Sequence, residues 1–307
     1  MTRRSFVASL AALAAAPAAA PAERKFTLAF TPGSIGVRVD QRGAIDLALR
    51  YGYESVQPFA DDLAKLSAAE LDELKAELGE KKLQWAAAGL PVDFRGDEAR
   101  YREGLEALAE QAKSYERAGV TRMGTWLSPM SDQWTYLEYF KQTARRVGEM
   151  AGILGDHGLR LGLEYVGTPS LRMRGRWQFV HTLAETKELI AESWAPNVGI
   201  VLDSWHWWTA GESAEDLKTL RNEEIVSADL NDAPAGIPKL QQHDGRRELP
   251  LATGVIPVEE FLDALVAIGY DGPIRPEPFN QRLNDMENEQ AAEAAAEAMK
   301  KAFARAG

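Results

Sequence analysis

Short apolar runs rich in β-branched and aromatic residues alternate along this chain with longer amphipathic stretches. The runs are Phe26–Phe30, Ser55–Gln57, Leu83–Ala88, Thr121–Trp126, Leu159–Glu164, Val198–Asp203, Glu224–Asp229 and Pro273–Glu277. Their length and composition predict strands, with Ser55–Gln57 the weakest. Between them, apolar residues recur at helical spacing: Leu71, Leu74 and Leu78; Leu105, Leu108, Ala112 and Tyr115; Phe140, Ala144 and Val147; Phe261, Leu262, Leu265 and Val266. Gly119, Gly158 and Gly269 stand where a helix must stop before the next strand. An Ala- and Glu-rich stretch, Glu287 to Ala304, supplies the last helix. Eight alternations of this kind predict one α/β domain, a (β/α)8 TIM barrel, over residues 23–307.

Four of the predicted strands end on an acid: Glu164, Asp203, Asp229 and Glu277, spaced 39, 26 and 48 residues apart. Strand C-termini of a parallel barrel converge on one face. Four carboxylates gathered there repel one another unless a cation sits among them, so the pattern predicts a divalent-metal site. The bland reading of each acid alone is a helix N-cap, a position Asp favours. The loops from Tyr165 to Arg176 and from Asn231 to Leu251 are longer than barrel packing requires, and long loops on that face are commonly functional.

The first 22 residues read differently. Arg3 and Arg4 precede a short Ala- and Leu-rich run and an Ala20-Pro21-Ala22 site, the layout of a secretory signal of the twin-arginine type. This predicts export, to the periplasm or beyond. Removing the two arginines takes the net charge from −11 to −13. Such an acidic chain is a poor partner for nucleic acid. The chain has no cysteine, which excludes disulfides, thiolate zinc sites and cysteine nucleophiles. No other segment is apolar and long enough to cross a membrane, so no membrane association is expected after removal of the signal.

Gly162-Leu163-Glu164, Leu202-Asp203-Ser204-Trp205-His206, Asp229-Leu230-Asn231-Asp232 and Glu277-Pro278-Phe279, with Arg247-Glu248-Leu249-Pro250, resemble the xylose isomerase-like TIM barrels of the sugar isomerase and epimerase superfamily. The resemblance spans nearly the whole mature chain. It implies that Glu164, Asp203, Asp229 and Glu277 hold one divalent cation, and that Glu164 and Glu277 also carry protons to and from the substrate. It implies that His206 and Arg247 contact the substrate. Such relatives often form homodimers. Asp229 departs from the pattern, since family members place His or Gln there. An all-oxygen set favours Mn2+ or Mg2+, with Co2+ or Zn2+ as alternatives.

Trp126 and Trp205 are candidates for stacking on a sugar ring, although aromatics near strand ends are as often core residues. His157 and His181 read as structural, and His243 as a weak substrate contact. The leading expectation is a metal-dependent isomerase or epimerase acting on a small sugar or keto-sugar. The alternatives are a lyase eliminating from a 3-keto-glycoside or inosose on the same site, and a sugar-binding barrel without catalysis.

Overall fold

The computed structural model describes residues 23–306, so the export signal read in residues 1–22 lies outside the described residues. Eight parallel strands form the barrel. They are β1 (Thr27–Phe30), β2 (Ser55–Val56), β3, β4 (Arg122–Trp126), β5 (Arg160–Glu164), β6 (Val198–Asp203), β7 (Ile225–Leu230) and β8 (Pro273–Pro276). Strand β3 is in two pieces. Gln84–Trp85 pairs with β2, and Ala88–Gly89 pairs with β4, so the break is where the sheet closes on itself. The sequence pattern predicts one continuous strand over Leu83–Ala88. The kink at Ala86 and Ala87 lets one strand serve two neighbours that diverge, and its small side chains leave open space inside the barrel.

The outer ring follows from local signals. Helix Ala68–Lys81 starts on a capping box, in which Ser67 and Glu70 satisfy each other's backbone N–H groups. Helices Gln41–Tyr51, Glu98–Ala118 and Val258–Ile268 end on Gly52, Gly119 and Gly269 in the left-handed conformation that glycine adopts without steric cost. The last helix runs Asn288–Phe303, one residue shorter at each end than the composition predicts. The longer helices bury an apolar stripe; Leu108, Ala112 and Tyr115 form it in Glu98–Ala118. Burying a side chain the size of Leu contributes roughly 1.5–3 kcal/mol. No helix among the described residues is long and apolar enough to cross a membrane.

Two features, one inside the barrel and one outside it, set up its C-terminal face. Gly124, Gly162 and Gly199 are register partners across β4, β5 and β6. A Cβ at Gly162 would sit 2.7 Å from Val201 and 2.8 Å from Val226, so the layer closes tightly there. Outside the barrel, a two-residue antiparallel ribbon joins Met130–Ser131 to Trp177–Gln178. It ties the loop after β4 to the loop after β5, and the sequence pattern does not predict it.

Candidate functional site

Strand register assembles the site in rows. Trp126 pairs with Glu164, and Glu164 with Val201. One row further along, Asp203 pairs with Asp229, and Asp229 with Arg275. Residues two apart on a strand share a face, so Glu277 follows Arg275 on the same side as it leaves β8. Strand β8 itself stops at Pro276. The Glu277 N–H donates to Asn231 Oδ1 at 2.9 Å instead of continuing the ladder, and Pro278 has no N–H to continue it. Each of Glu164, Asp203, Asp229 and Glu277 offers an oxygen, all within 4.8 Å of one another. Asp203 and Asp229 are fully buried and Glu164 nearly so. Asp203 is also an N-cap, accepting from Trp205 N at 2.7 Å, so the bland reading and the clustered reading both hold for it.

Two arginines, Arg247 buried and Arg275 partly buried, divide this acid cluster between them. Arg275 grips Asp229 with two parallel bonds, Nε to Oδ1 at 2.7 Å and Nη2 to Oδ2 at 2.8 Å, and its Nη2 also reaches Glu277 Oε1 at 2.8 Å. Arg247 Nη1 donates to Asp203 Oδ2 at 2.7 Å and to Glu277 Oε2 at 3.2 Å. Its Nη2 meets Asp244 Oδ1 at 3.0 Å and His206 Nε2 at 3.2 Å. A guanidinium only donates, so His206 Nε2 is the acceptor and the ring proton belongs on Nδ1. Asn231 braces Asp203 from behind, its Nδ2 donating to Oδ1 at 3.0 Å. Glu164 Oε1 is buried and has no hydrogen-bond partner.

Four carboxylates against two guanidiniums leave two negative charges in a buried place, and the proton affinities follow. Burial, then the charges of Glu277, Asp203 and Asp229, push the Glu164 carboxyl well above its ordinary range. Burial pushes Glu277 up to about 7 even though Arg275 and Arg247 oppose it. Asp229 is raised by burial, with Arg275 pulling the other way. Burial holds His206 below its ordinary value, so the ring is neutral. Burial works against the charge on Arg247 and Arg275, but their carboxylates outweigh it and hold both firmly cationic.

A cavity of about 230 Å³ opens beside this cluster. That is below the roughly 300–1,000 Å³ of drug-sized sites, the scale of one small ring. Glu164, Glu277, Arg275, Trp126, Ser227 and the Ala86–Gly89 kink are in its wall. Trp126 is 44 % exposed, an aromatic face open to a ligand. Trp205 is different. It is fully buried, its Nε1 donates to Thr168 Oγ1 at 2.8 Å, and the Arg247 guanidinium lies over its ring at 5.3 Å. It does not line the cavity, so the stacking role expected from the sequence is replaced by a supporting one. Arg247 and His206 also stand outside the cavity wall, behind the carboxylates. Arg247 bonds Asp203, Asp244, Glu277 and His206, which makes it a positioning group in this arrangement, whereas His206 Nδ1 is buried without a hydrogen-bond partner.

The remaining candidates sit elsewhere. Asp232 accepts from the backbone N–H groups of Ala233, Thr253, Gly254, Val255 and Ile256, stapling the end of the long loop after β7. His243 meets Arg174 on the outer loops, His157 meets Glu116, and His181 meets the Phe179 carbonyl. Sequence reasoning passed over Arg275, Asp244 and Arg95. Arg275 had a usable signal, its place two residues before Glu277 on one strand. Arg95 and Asp244 are in loops, where no periodicity points to a direction.

The residues fit a hard dication. The donor oxygens converge, a dication would offset surplus negative charge, and the orphaned Glu164 Oε1 lacks a partner that an ion would supply. Asp229 is the least free of the four, because both its oxygens already accept from Arg275.

The profile of the xylose isomerase-like TIM barrel family matches residues 45–302. The chain is 25 % identical over 256 residues to an inosose isomerase of Bacillus velezensis, covering 80 % of this chain and 86 % of that one. It is 23 % identical over 249 residues to a 3-dehydroshikimate dehydratase of Pseudomonas putida, covering 78 % of this chain but 36 % of that protein. Among solved structures, a xylose isomerase domain protein from Alicyclobacillus acidocaldarius superposes with a TM-score of 0.78 at 32 % identity, covering 91 % of this chain and 99 % of that one. The IolI protein with a bound zinc atom superposes at 0.75 and 22 % identity, over 92 % and 99 % of the two chains.

Proposed function

Because the chain belongs to the xylose isomerase-like TIM barrel family, we propose that it moves a proton at the carbon beside the carbonyl of a small keto-sugar, as an isomerase or epimerase. The observation that carries this reading is the pairing of Glu164 with Glu277. Both reach the cavity, both have a raised affinity for protons, and among the described residues no other carboxylate lines its wall. A carboxylate whose proton affinity lies near neutrality both takes and returns a proton at useful rates. One takes the proton from the substrate carbon. The other delivers one, to carbon in isomerisation or epimerisation.

Glu164, Asp203 and Glu277 would hold a divalent cation, with Asp229 contributing mainly its charge through Arg275. Bound there, the ion supplies Lewis acidity that polarises the substrate carbonyl. The all-oxygen donor set suits Mn2+ or Mg2+, while the zinc in the related IolI structure keeps Zn2+ in contention. The export signal read in residues 1–22 supports action outside the cytoplasm.

The second reading is elimination on the same site, and Glu277 favours it. A carboxyl held up to about 7 retains a proton that it can give to a departing oxygen. The similarity to a dehydratase supports the same reading. Two measurements decide. Metal analysis of the purified protein should find about one dication per chain. Incubation with keto-sugars in deuterated water should then give deuterium at the α-carbon without loss of oxygen for isomerisation or epimerisation, and an unsaturated product for elimination. Neither outcome with any keto-sugar would reduce the protein to a binding barrel.

A further inference from the structure

Three guanidiniums border the cavity region, and only two of them have close carboxylate partners. Arg275 and Arg247 are tied to the acid cluster. The third, Arg95, comes from the loop after β3 and lines the same cavity as Glu164, Glu277 and Trp126. Its side chain is 20 % exposed, and its closest carboxylate among the described residues is Asp93, 3.9 Å away and itself half exposed. A pair that long and that wet contributes little. Arg95 Nη1 donates to the Trp126 carbonyl at 2.6 Å and to Thr125 Oγ1 at 3.3 Å. Its guanidinium lies over the Trp126 ring at 4.2 Å and over Phe94 at 4.7 Å.

The loop that carries Arg95 is fixed from below. Arg146, buried in the helical ring, donates through Nη1 to the carbonyls of both neighbours, Phe94 and Gly96, at 2.8 Å each. Arg95 is therefore a cation held in place by two aromatic rings and an anchored loop, facing a cavity, with its charge met only weakly by the half-exposed Asp93. Burial pushes its pKa down, whereas carboxylates hold Arg247 and Arg275 up against the same effect. A buried charge of this kind is costly until an opposite charge meets it.

We propose that Arg95, stacked on Trp126, is the subsite for a carboxylate carried by the substrate, so that the natural substrates are polyhydroxylated keto acids and not neutral keto-sugars. A planar guanidinium matches a carboxylate through two parallel N–H bonds. A phosphoryl group carries more charge and recruits several cations, whereas of the two guanidiniums in this wall Arg275 is already tied to Asp229 and Glu277 and Arg95 alone has no close carboxylate partner. The subsite rests on the reading of this cavity as the place where a keto-sugar reacts.

The test uses calorimetric titration of the full chain with quinate, a polyhydroxylated ring carboxylate, with its methyl ester, and with myo-inositol 1-phosphate. Quinate should bind about tenfold to a hundredfold more tightly than the ester, the range expected of a charge-assisted pair. Arg95→Gln should erase that gap, and Arg95→Lys should keep part of it, which guards against a glutamine variant that fails to fold. Equal affinity for acid and ester in the unaltered protein, a gap that survives Arg95→Gln, or tighter binding of the phosphate overturns the subsite. Proton exchange separates this failure from failure of the reaction. Exchange with neutral ketones as fast as with keto acids rejects the subsite and keeps the reaction. Arg95-dependent binding of quinate without exchange or elimination on any ketone keeps the subsite and rejects the reaction.

Discussion

The protein holds two networks of carboxylates and guanidiniums, one in the helical ring and one at the mouth of the barrel, and they behave in opposite ways. In the ring, Glu98 and Glu149 meet Arg102, Arg145 and Arg146, with Tyr101 donating to Glu149. Cations outnumber acids, and water reaches Glu98, whose side chain is 50 % exposed. The Arg146 bond, followed by the other arginines, holds the Glu98 carboxyl down to about 2. At the barrel mouth, Glu277 also has two arginines, yet burial carries it up to about 7. The same partners give opposite shifts because acids outnumber cations there and water is excluded. A network in which every acid has its cation is finished as it folds. An unbalanced one must take up protons or a cation, and that demand makes it a site.

The largest expected effect is on catalysis. Glu164→Gln and Glu277→Gln should each lower turnover by about 10²–10⁴-fold, the usual contribution of a general acid or base. The fold should survive, since each change removes a charge that the cluster holds in surplus. Circular dichroism alongside the deuterium assay checks both halves. Full activity in either variant would remove that glutamate from the proton path.

Arg247→Met comes next. It strips Asp203 of the guanidinium that bonds Oδ2 and leaves a buried charge exposed to its neighbours. Breaking a buried pair from one side costs about 3–5 kcal/mol. Denaturant titration should show this loss, and saturating Mn2+ should restore part of it. A loss no larger than that of an ordinary surface substitution would mean that the barrel-mouth network is as well screened as the ring.

The pH dependence follows in size. Glu277 titrates near 7 in the folded, metal-free protein and near 4.5 when unfolded. Between those values the folded state binds a proton that the unfolded state releases. Its contribution is therefore complete below about 4.5 and is lost as pH rises through 7, on the order of 3 kcal/mol in all. Glu164 and Asp229 are raised as well and act in the same direction. Metal binds the ionised carboxylates, so the stabilisation by Mn2+ should grow as pH rises. Thermal midpoints of metal-free and Mn2+-loaded protein across this window should diverge. Parallel curves would show that the acids at the mouth do not hold the ion.

Glu98→Gln should do least. Its folded pKa is lowered, so its contribution is present above about 4.5 and disappears only as pH falls toward 2. At neutral pH the thermal midpoint should shift by no more than a few degrees, as expected of an exposed pair. A large shift would place the ring network on the same footing as the site.

Much of this comparison is legible along the chain. The alternation of short apolar runs and amphipathic stretches is enough for the barrel, because strand and helix periods are local properties. The four acids are visible because each ends such a run. Asp229 is visible as the acid that ends its run, but its pairing with Arg275 depends on the register between β7 and β8. Trp205 and Trp126 have similar local contexts, both aromatic and close to a strand end. One is sealed under Arg247 and the other opens to the cavity, a difference no local pattern encodes.

The sequence by itself determined the fold class, the positions of Glu164, Asp203, Asp229 and Glu277, and the excess of acid they create, since periodicity and residue type are written in order along the chain. Only the tertiary structure decided how that excess is shared. Arg247 is 44 residues from Asp203 and Arg275 is 46 from Asp229, and Arg95 reaches the cavity from a loop with no pattern of its own. Charges interact through space and according to how much water remains between them. Which carboxylate is neutralised, which keeps its proton and which cation stays free for a ligand are settled only when the strands align and the water leaves.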